Sequence, residues 1–314
     1  MILSAFYDWQ IEMIKAIQSV ANDFLTALVS LITMVGEEYV AIVVIMVIYF
    51  LFNKKLAQKI CFVICSSMTL NGVIKNFVKE PRPYEMSSDV VNYRKAGGYS
   101  FPSGHSQMAA SFLNTCSIEI DKATNKKWQY IVSSILIVLV MFTRLYLGQH
   151  FLIDVVCGAA LGIGCSFGLT ALYDKYEKEG KELMLMNIIT LIYVPFFIYF
   201  LFISGQNQDK GYDFFKNFGL FFGLPCAILF EKKFVNFDYN VSLPKKILRL
   251  VGCLVVVLAI KEGVGALFEL IGDACVAQGL WGHAVYDILH FIRYALLSFV
   301  GMGVYPLIFK KLKF

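Results

Sequence analysis

Charge is scarce in this chain. Of its 314 residues only 16% are Asp, Glu, Lys or Arg, while 58% are hydrophobic. A soluble domain carries about 25% charged and about 45–50% apolar residues, so an ordinary soluble enzyme with one core is excluded. Disorder is excluded as well, because it requires low hydrophobicity. The N-terminus lacks a basic stretch and a small-residue cleavage site, and Asp8 and Glu12 come early, so no cleavable signal peptide is expected. Segments of alternating polarity are missing, which excludes a closed membrane barrel. No internal repeat relates the first part of the chain to the last.

What the chain does contain is long apolar runs and many aromatics, with 28 Phe and 17 Tyr, as befits a bilayer protein. A membrane-crossing helix needs about 20 largely apolar residues. About ten runs qualify: 16–35, 38–53, 57–75, 103–119, 128–147, 150–173, 184–204, 213–230, 247–271 and 284–309. The expected fold is therefore an all-α, polytopic membrane protein. Leu3, Phe6, Trp9, Met13 and Ile14 recur near helical spacing, so residues 3–15 read as an interfacial helix leading into the first run. Of 8 cysteines, Cys61, Cys65, Cys116, Cys157, Cys165, Cys226 and Cys253 lie inside apolar runs, as small buried hydrophobes do. Cys275 falls in a predicted loop with no evident partner, so no disulfide framework is expected.

The net charge of +5 is spread as short basic clusters between apolar runs, which reads as a topology signal and not as a nucleic-acid surface. Lys54, Lys55 and Lys59 follow run 2, and Lys122, Lys126 and Lys127 follow run 4. Lys175, Lys178 and Lys181 follow run 6; Lys232, Lys233, Lys245, Lys246 and Arg249 follow run 8; Lys310, Lys311 and Lys313 follow run 10. The loops after runs 1, 7 and 9 carry no Lys or Arg except Lys210. By the positive-inside rule, both termini are expected in the cytoplasm. One outer loop breaks the rule. Residues 75–102 hold Lys75, Lys79, Arg82, Arg94 and Lys95, and a bound anion would account for positive charge on that side.

Three segments carry chemistry: Lys75 to Pro83, Pro102-Ser103-Gly104-His105, and Thr143-Arg144 to His150 and Asp154. All three fall at the same, outer ends of the apolar runs. Lys75, Arg82 and Arg144 offer three cations, and Arg suits bidentate contact with phosphate oxygens. Ser103 and Gly104 sit where a helix begins, so free N–H groups and the helix dipole favour an anion. His105 and His150 can serve as acid and nucleophile near neutral pH. His150 and Asp154 are four apart, on one face of a predicted helix, where a carboxylate fixes the imidazole tautomer.

Together the segments resemble the type 2 phosphatidic acid phosphatase superfamily. Its pattern is Lys-x6-Arg-Pro, then Pro-Ser-Gly-His, then Ser-Arg-x5-His-x3-Asp. Lys75 with Arg82-Pro83, then Pro102 to His105, then Arg144, His150 and Asp154 match it; Thr143 replaces the Ser. The apolar runs beyond residue 176 read as about four further membrane helices, a C-terminal extension over 177–314 with no assigned role. The resemblance covers residues 16–173 and implies a six-helix core within a catalytic domain over 1–176. It further implies a lipid phosphatase needing no metal and no cofactor. His150 would attack phosphorus and form a phosphohistidine, Asp154 would support it, and His105 would protonate the leaving oxygen. Lys75, Arg82, Ser103, Gly104 and Arg144 would hold the phosphoryl oxygens. The implied partners are the lipid bilayer and a lipid phosphate or pyrophosphate, with phosphatidic acid, phosphatidylglycerophosphate and undecaprenyl pyrophosphate as examples. The implied site lies at the extracytoplasmic face of a plasma or inner membrane.

Two other readings are compatible with parts of the pattern. A lipid phosphotransferase passes the phosphoryl group to an acceptor other than water. A transporter would use the charged C-terminal pair of runs, where Lys261, Glu262 and Glu269 face His283, Asp287, His290 and Arg293. For that pair the plain expectation is an ion-paired contact between two helices. Vanadium haloperoxidases share the phosphate-site motifs but are typically soluble. Glu37 and Glu38 read as acids favoured at a helix start, and Tyr84 and Tyr146 as interface residues. The motifs carry no information on oligomeric state.

Overall fold

The computed structural model describes residues 2–202, 208–238, 240–277 and 284–312, and the described residues form helices and no strands. The helices are α1 (Ile2–Gln18), α2 (Asp23–Ile32), α3 (Glu38–Val47), α4 (Lys54–Val78), α5 (Pro83–Met86), α6 (Gly104–Thr124) and α7 (Trp128–Tyr146). They continue with α8 (Leu152–Lys178), α9 (Glu182–Phe202), α10 (Gln208–Phe230), α11 (Leu243–Ala259), α12 (Gly265–Ala277), α13 (Ala284–Phe299) and α14 (Leu307–Leu312).

Among the described residues all ten apolar runs are mainly helical, but they differ in what they can span. Among the described residues, six segments are long and apolar enough to cross a membrane. They are Lys54–Met86, Trp128–Tyr146, Leu152–Lys178, Glu182–Phe202, Leu243–Cys275 and Ala284–Phe309. The first run is broken, not continuous: Phe6–Gln18 and Asp23–Gly36 meet at 115°. Asn22 causes the restart, because its side chain accepts the Leu25 N–H at 2.9 Å and caps α2. The second run, Glu38–Phe52, is shorter. The fourth and eighth form α6 and α10 but mix polar residues into the run. In α6 the buried face carries Ser106, Gln107, Ser111, Asn114, Thr115 and Ser117. These satisfy one another's neighbours: Asn114 donates to Ser166 at 2.6 Å, and the Ser117 and Ser133 hydroxyls lie 2.7 Å apart. A polar helix is tolerated in a membrane protein only when protein partners satisfy it in this way.

The chain forms two compact units. The first comprises Met1–Ala41 with Val73–Thr170, and the second Ile42–Gly72 with Ala171–Phe314. The chain crosses between them within α3, α4 and α8, instead of once near residue 176. In the first unit α8 approaches α6 through two small residues four apart. A Cβ at Gly158 would lie 2.6 Å from the Ser103 carbonyl, and one at Gly162 would lie 2.5 Å from the Gln107 carbonyl. This close approach sets the start of α6 against the start of α8. α1 packs below, with Ile14 fully buried against Val90 and Phe151. Gln18 of α1 donates to the Tyr146 and Val91 carbonyls at 3.0 and 2.8 Å, and Gln10 accepts the Ile153 N–H at 3.2 Å. α1 therefore supports the loops around residues 91 and 147–153, while its Phe6 and Trp9 face outward.

In the second unit the core is aromatic. Tyr49, Phe50, Phe237, Tyr305 and Phe309 make one cluster, and Phe197, Phe214, Phe218 and Phe291 another. Buried Glu231 is held by Lys54 at 3.0 Å and by the Phe237 N–H at 3.1 Å. In the C-terminal charged pair, Arg293 donates to the Lys261 carbonyl, so the two do lie at one level. Glu269, Tyr286, His290 and Arg293 line one small cavity. Arg293 thus bonds backbone on this level, and Glu262 and Glu269 are exposed. His283 lies outside the described residues.

Candidate active site

The three motifs meet at one place in the first unit. Lys75 is in the last turn of α4, and Arg82 immediately precedes α5. Gly104 and His105 open α6, so their N–H groups are among the first-turn donors that lack a carbonyl within the helix. Arg144 is in the last turn of α7. That helix ends at Gly148, whose φ of +71° is the left-handed conformation that suits glycine. A Cβ there would also collide with the Val91 carbonyl. This turn reverses the chain and delivers His150 to the mouth of α8.

His150 and Asp154 are not on one helical face, as their spacing suggested. His150 lies just before α8, and the Asp154 carboxylate folds back over the helix start. Asp154 Oδ2 accepts the Phe151 N–H at 2.8 Å and the Ser100 hydroxyl at 2.5 Å, and it stands 3.3 Å from His150 Nδ1. The other ring nitrogen, Nε2, is 3.2 Å from Arg82 Nη1. A guanidinium can only donate, so Nε2 must carry the lone pair. Nδ1 then carries the hydrogen and points it at Asp154. The ring is thus held in the tautomer that exposes a nucleophilic nitrogen to the cationic side. Burial pushes the His150 pKa well below 6.5, and the nearby Arg82, Lys75 and Arg144 cations push the same way. The imidazole is neutral at pH 7.

The cations are buried and anchored. Arg82 donates through Nε to the Gly98 carbonyl at 3.0 Å and through Nη1 to the Gln149 carbonyl at 2.9 Å, with a further bond to the Gly97 carbonyl. Lys75 donates to the Tyr99 carbonyl. Arg144 Nη1 donates to Thr33 Oγ1 at 2.8 Å, while its Nε is buried without an acceptor. His105 lies within electrostatic reach of Arg144, Arg94, Arg82 and Lys75, and of His150. Positive charge concentrated in a buried site is costly, and an anion placed among these groups would offset it.

Two motif hydroxyls are already engaged. Ser103 Oγ accepts the Ser106 N–H at 3.4 Å and the Ser106 hydroxyl at 3.0 Å, which leaves its own O–H to donate. The Ser103 N–H is taken by the Asp154 carbonyl at 3.0 Å. Thr143 donates to the Val140 carbonyl at 2.6 Å in its own helix. Among the described residues, no group of three or more His, Cys, Asp or Glu is placed to hold a metal ion.

Residues 56–178 match the PAP2 superfamily model, and residues 215–314 match the PAP2 superfamily phosphatase transmembrane extension. The chain belongs to the PAP2 superfamily. All eight expected site residues of this PAP2 protein fall inside the first matched segment. Phosphatidylglycerophosphatase B of Bacillus subtilis is 32% identical over 114 residues, covering 35% of this chain and 54% of that protein. Undecaprenyl-diphosphatase of Sulfolobus acidocaldarius is 28% identical over 161 residues, covering 51% and 76%. Dolichyldiphosphatase of Saccharomyces cerevisiae is 36% identical over 98 residues, covering 29% and 41%. The chain thus spans about half the length of the first and third of these relatives. The crystal structure of the first transmembrane PAP2 type phosphatidylglycerolphosphate phosphatase from Bacillus subtilis superimposes with a TM-score of 0.48 at 26% identity, covering 55% of this chain and 87% of that one.

The PAP2 motifs do not include every side chain at the site. Ser100, fully buried, bridges Asp154 and the edge of His150, at 2.5 and 3.4 Å. Glu80 reaches Asp154 from the first motif and accepts the Tyr7 hydroxyl from α1. Arg94 pairs with Glu37 at 2.7 Å. Glu80 and Arg94 were visible in the sequence only as charges in a loop expected to be outside, and Glu37 only as an acid at a helix start. Tyr146, read as an interface residue, is buried, stacks on Tyr93 with centroids 5.7 Å apart, and shares a 2.9 Å hydrogen bond with Thr26.

Proposed function

We propose that this PAP2 protein hydrolyses a lipid phosphate or lipid diphosphate through a phosphohistidine at His150. The observation that carries the reading is the His150 ring, with Nδ1 toward Asp154 at 3.3 Å and Nε2 toward Arg82 at 3.2 Å. Nε2 attacks phosphorus, a P–N bond forms, and the P–O bond to the lipid breaks with its electron pair on oxygen. His105 supplies the proton to that oxygen. Phosphoryl oxygens lying among Lys75, Arg82 and Arg144 would favour the charged form of His105 before that transfer. In the second step His105 takes a proton from water, the resulting hydroxide attacks phosphorus, and the P–N bond breaks to release phosphate. Asp154 stabilises the imidazolium that forms during attack. Lys75, Arg82, Arg144, Ser103 and the Gly104 N–H hold the phosphoryl oxygens, where positioning and charge stabilisation do most of the work.

The six apolar segments support a substrate whose tail stays in the bilayer while its phosphate enters the site. The basic loops after every second apolar run support cytoplasmic termini, with the site at the opposite face of a plasma or inner membrane. The names of the matched relatives support the lipid phosphate and diphosphate classes. The test is phosphate release from a panel of lipid monophosphates and diphosphates by detergent-purified protein in EDTA, with His150→Ala alongside. Turnover by the wild type alone supports the reading. Equal turnover by both proteins, or none by the wild type, overturns it.

A further inference from the structure

Arg94 is a fourth cation beside this site, partly exposed where Lys75, Arg82 and Arg144 are buried, and no motif includes it. Its Nη2 pairs with Glu37 Oε1 at 2.7 Å, while its Nη1 is buried without an acceptor. Three contacts place it. First, Glu37 directly follows Gly36, and a Cβ at Gly36 would lie 2.8 Å from the His105 carbonyl oxygen and 3.1 Å from His105 Cβ. The acid that holds Arg94 therefore sits one residue from a wall packed on His105. Second, the short helix Thr33–Gly36 also holds Arg144, through Thr33 Oγ1 at 2.8 Å. Third, the Arg94 carbonyl accepts the Gln149 side chain, and the Gln149 carbonyl accepts Arg82 at 2.9 Å. Arg94 is thus tied at both ends to the frame of the site, on the His105 side of it. The electrostatic influence of Arg94 on both His105 and Arg144 agrees with that placement.

A monophosphate does not need this fourth cation. Its phosphoryl oxygens are met by Lys75, Arg82 and Arg144, and its leaving group is an alkoxide that His105 protonates. A diphosphate differs at one point: its leaving group is itself a phosphate, bearing negative charge beside His105. Arg94 Nη1 and Arg144 Nε are both buried without an acceptor, and both arginines act electrostatically on His105. Orphaned buried guanidinium N–H groups are costly, and an anion with several acceptor oxygens beside His105 would offset that cost.

We propose that Arg94, steered by Glu37, forms a subsite for a second phosphoryl group, so that the substrate class is a lipid diphosphate. This rests on the hydrolase reading given above. His150 bonds to the terminal phosphorus, and the bond from that phosphorus to the bridging oxygen breaks. A lipid monophosphate leaves with the electron pair, its charge met by Arg94. Water then cleaves the P–N bond, so lipid diphosphate and water become lipid monophosphate and inorganic phosphate.

The experiment measures kcat/KM for farnesyl diphosphate and farnesyl monophosphate in detergent, with wild type, Arg94→Gln and Arg94→Lys. The wild type should prefer the diphosphate. In Arg94→Gln the diphosphate-to-monophosphate ratio should fall by about tenfold, the loss expected for one charge-assisted hydrogen bond. Arg94→Lys, which keeps the charge without the fork, should restore part of the ratio. A general weakening of the fold lowers both substrates together and leaves the ratio fixed. An unchanged ratio, or a wild type that prefers the monophosphate, overturns the subsite and leaves the hydrolase reading standing. Turnover of neither substrate by the wild type overturns both.

Discussion

Glu80→Ala should lower kcat/KM by about 10- to 100-fold, although Glu80 touches neither phosphate nor nucleophile. Asp154 spends one oxygen, Oδ2, on the Phe151 N–H, the Ser100 hydroxyl and the His150 ring. Its other oxygen, Oδ1, is buried with no donor, and so is Oε2 of Glu80. The two side chains reach each other. Two acceptor oxygens in contact repel unless one hydrogen lies between them. Glu80 Oε1 already accepts the Tyr7 hydroxyl, and Oδ2 of Asp154 already has three donors facing it, so the one hydrogen is shared between Oδ1 of Asp154 and Oε2 of Glu80. Alanine removes that partner and leaves Oδ1 orphaned in a buried site. Such a loss costs about 1–3 kcal/mol, which as a barrier is about 10- to 100-fold in rate. Glu80→Gln keeps both bonds, with its amide N–H toward Asp154 and its carbonyl toward Tyr7, and should stay within about threefold of the wild type on the same reasoning. The assay is steady-state phosphate release at pH 7. A shared hydrogen also predicts an infrared band of a protonated carboxylic acid in the wild type that Glu80→Gln loses. Glutamine as damaging as alanine, or no such band in the difference spectrum, would refute the argument.

Other outcomes follow from the same geometry. His150 is held well below 6.5 by burial first and by Arg82, Lys75 and Arg144 next, so lowering the pH should protonate it only beneath 6.5. The acid limb of kcat/KM should lie there, and Arg82→Ala, which removes a cation, should move that limb upward; a limb above 6.5 in the wild type contradicts it. Vanadate should inhibit competitively by occupying the phosphate site, and absence of inhibition would count against the whole assignment. Gly158→Val should destabilise the first unit by roughly 1–3 kcal/mol, because a Cβ would lie 2.6 Å from the Ser103 carbonyl; an unchanged thermal midpoint in detergent would show that α6 and α8 can separate there.

Much of the site was legible in the chain because it is written locally. Gly148 ends α7 and turns the chain, and His150 and Asp154 are close enough in sequence to meet whatever surrounds them. Composition alone dictates helices, since a chain with 16% charge and long apolar runs has to satisfy its backbone within each segment. Where local reading went astray, a short-range polar group was responsible. The apolar run 16–35 carries straight through Val20 and Ala21, yet the Asn22 cap ends one helix direction and starts another at 115°. The spacing of His150 and Asp154 suggested one helical face, but the carboxylate prefers the unpaired N–H of Phe151 at the helix start.

Contacts between residues far apart in sequence came from packing alone. Tyr7 meets Glu80 across 73 residues, Arg144 meets Thr33 across 111, and Ser100 meets Asp154 across 54. None of these pairs leaves a periodic trace, because each depends on how closely α1, α6, α7 and α8 approach. That approach is set by the small residues Gly158 and Gly162 and by the buried polar face of α6. That cations, two histidines and a helix start gather at one end of the helices was readable from the order of motifs and apolar runs. Packing decided which nitrogen of His150 carries the lone pair, that Glu80 backs Asp154, and that Arg94 pairs with Glu37.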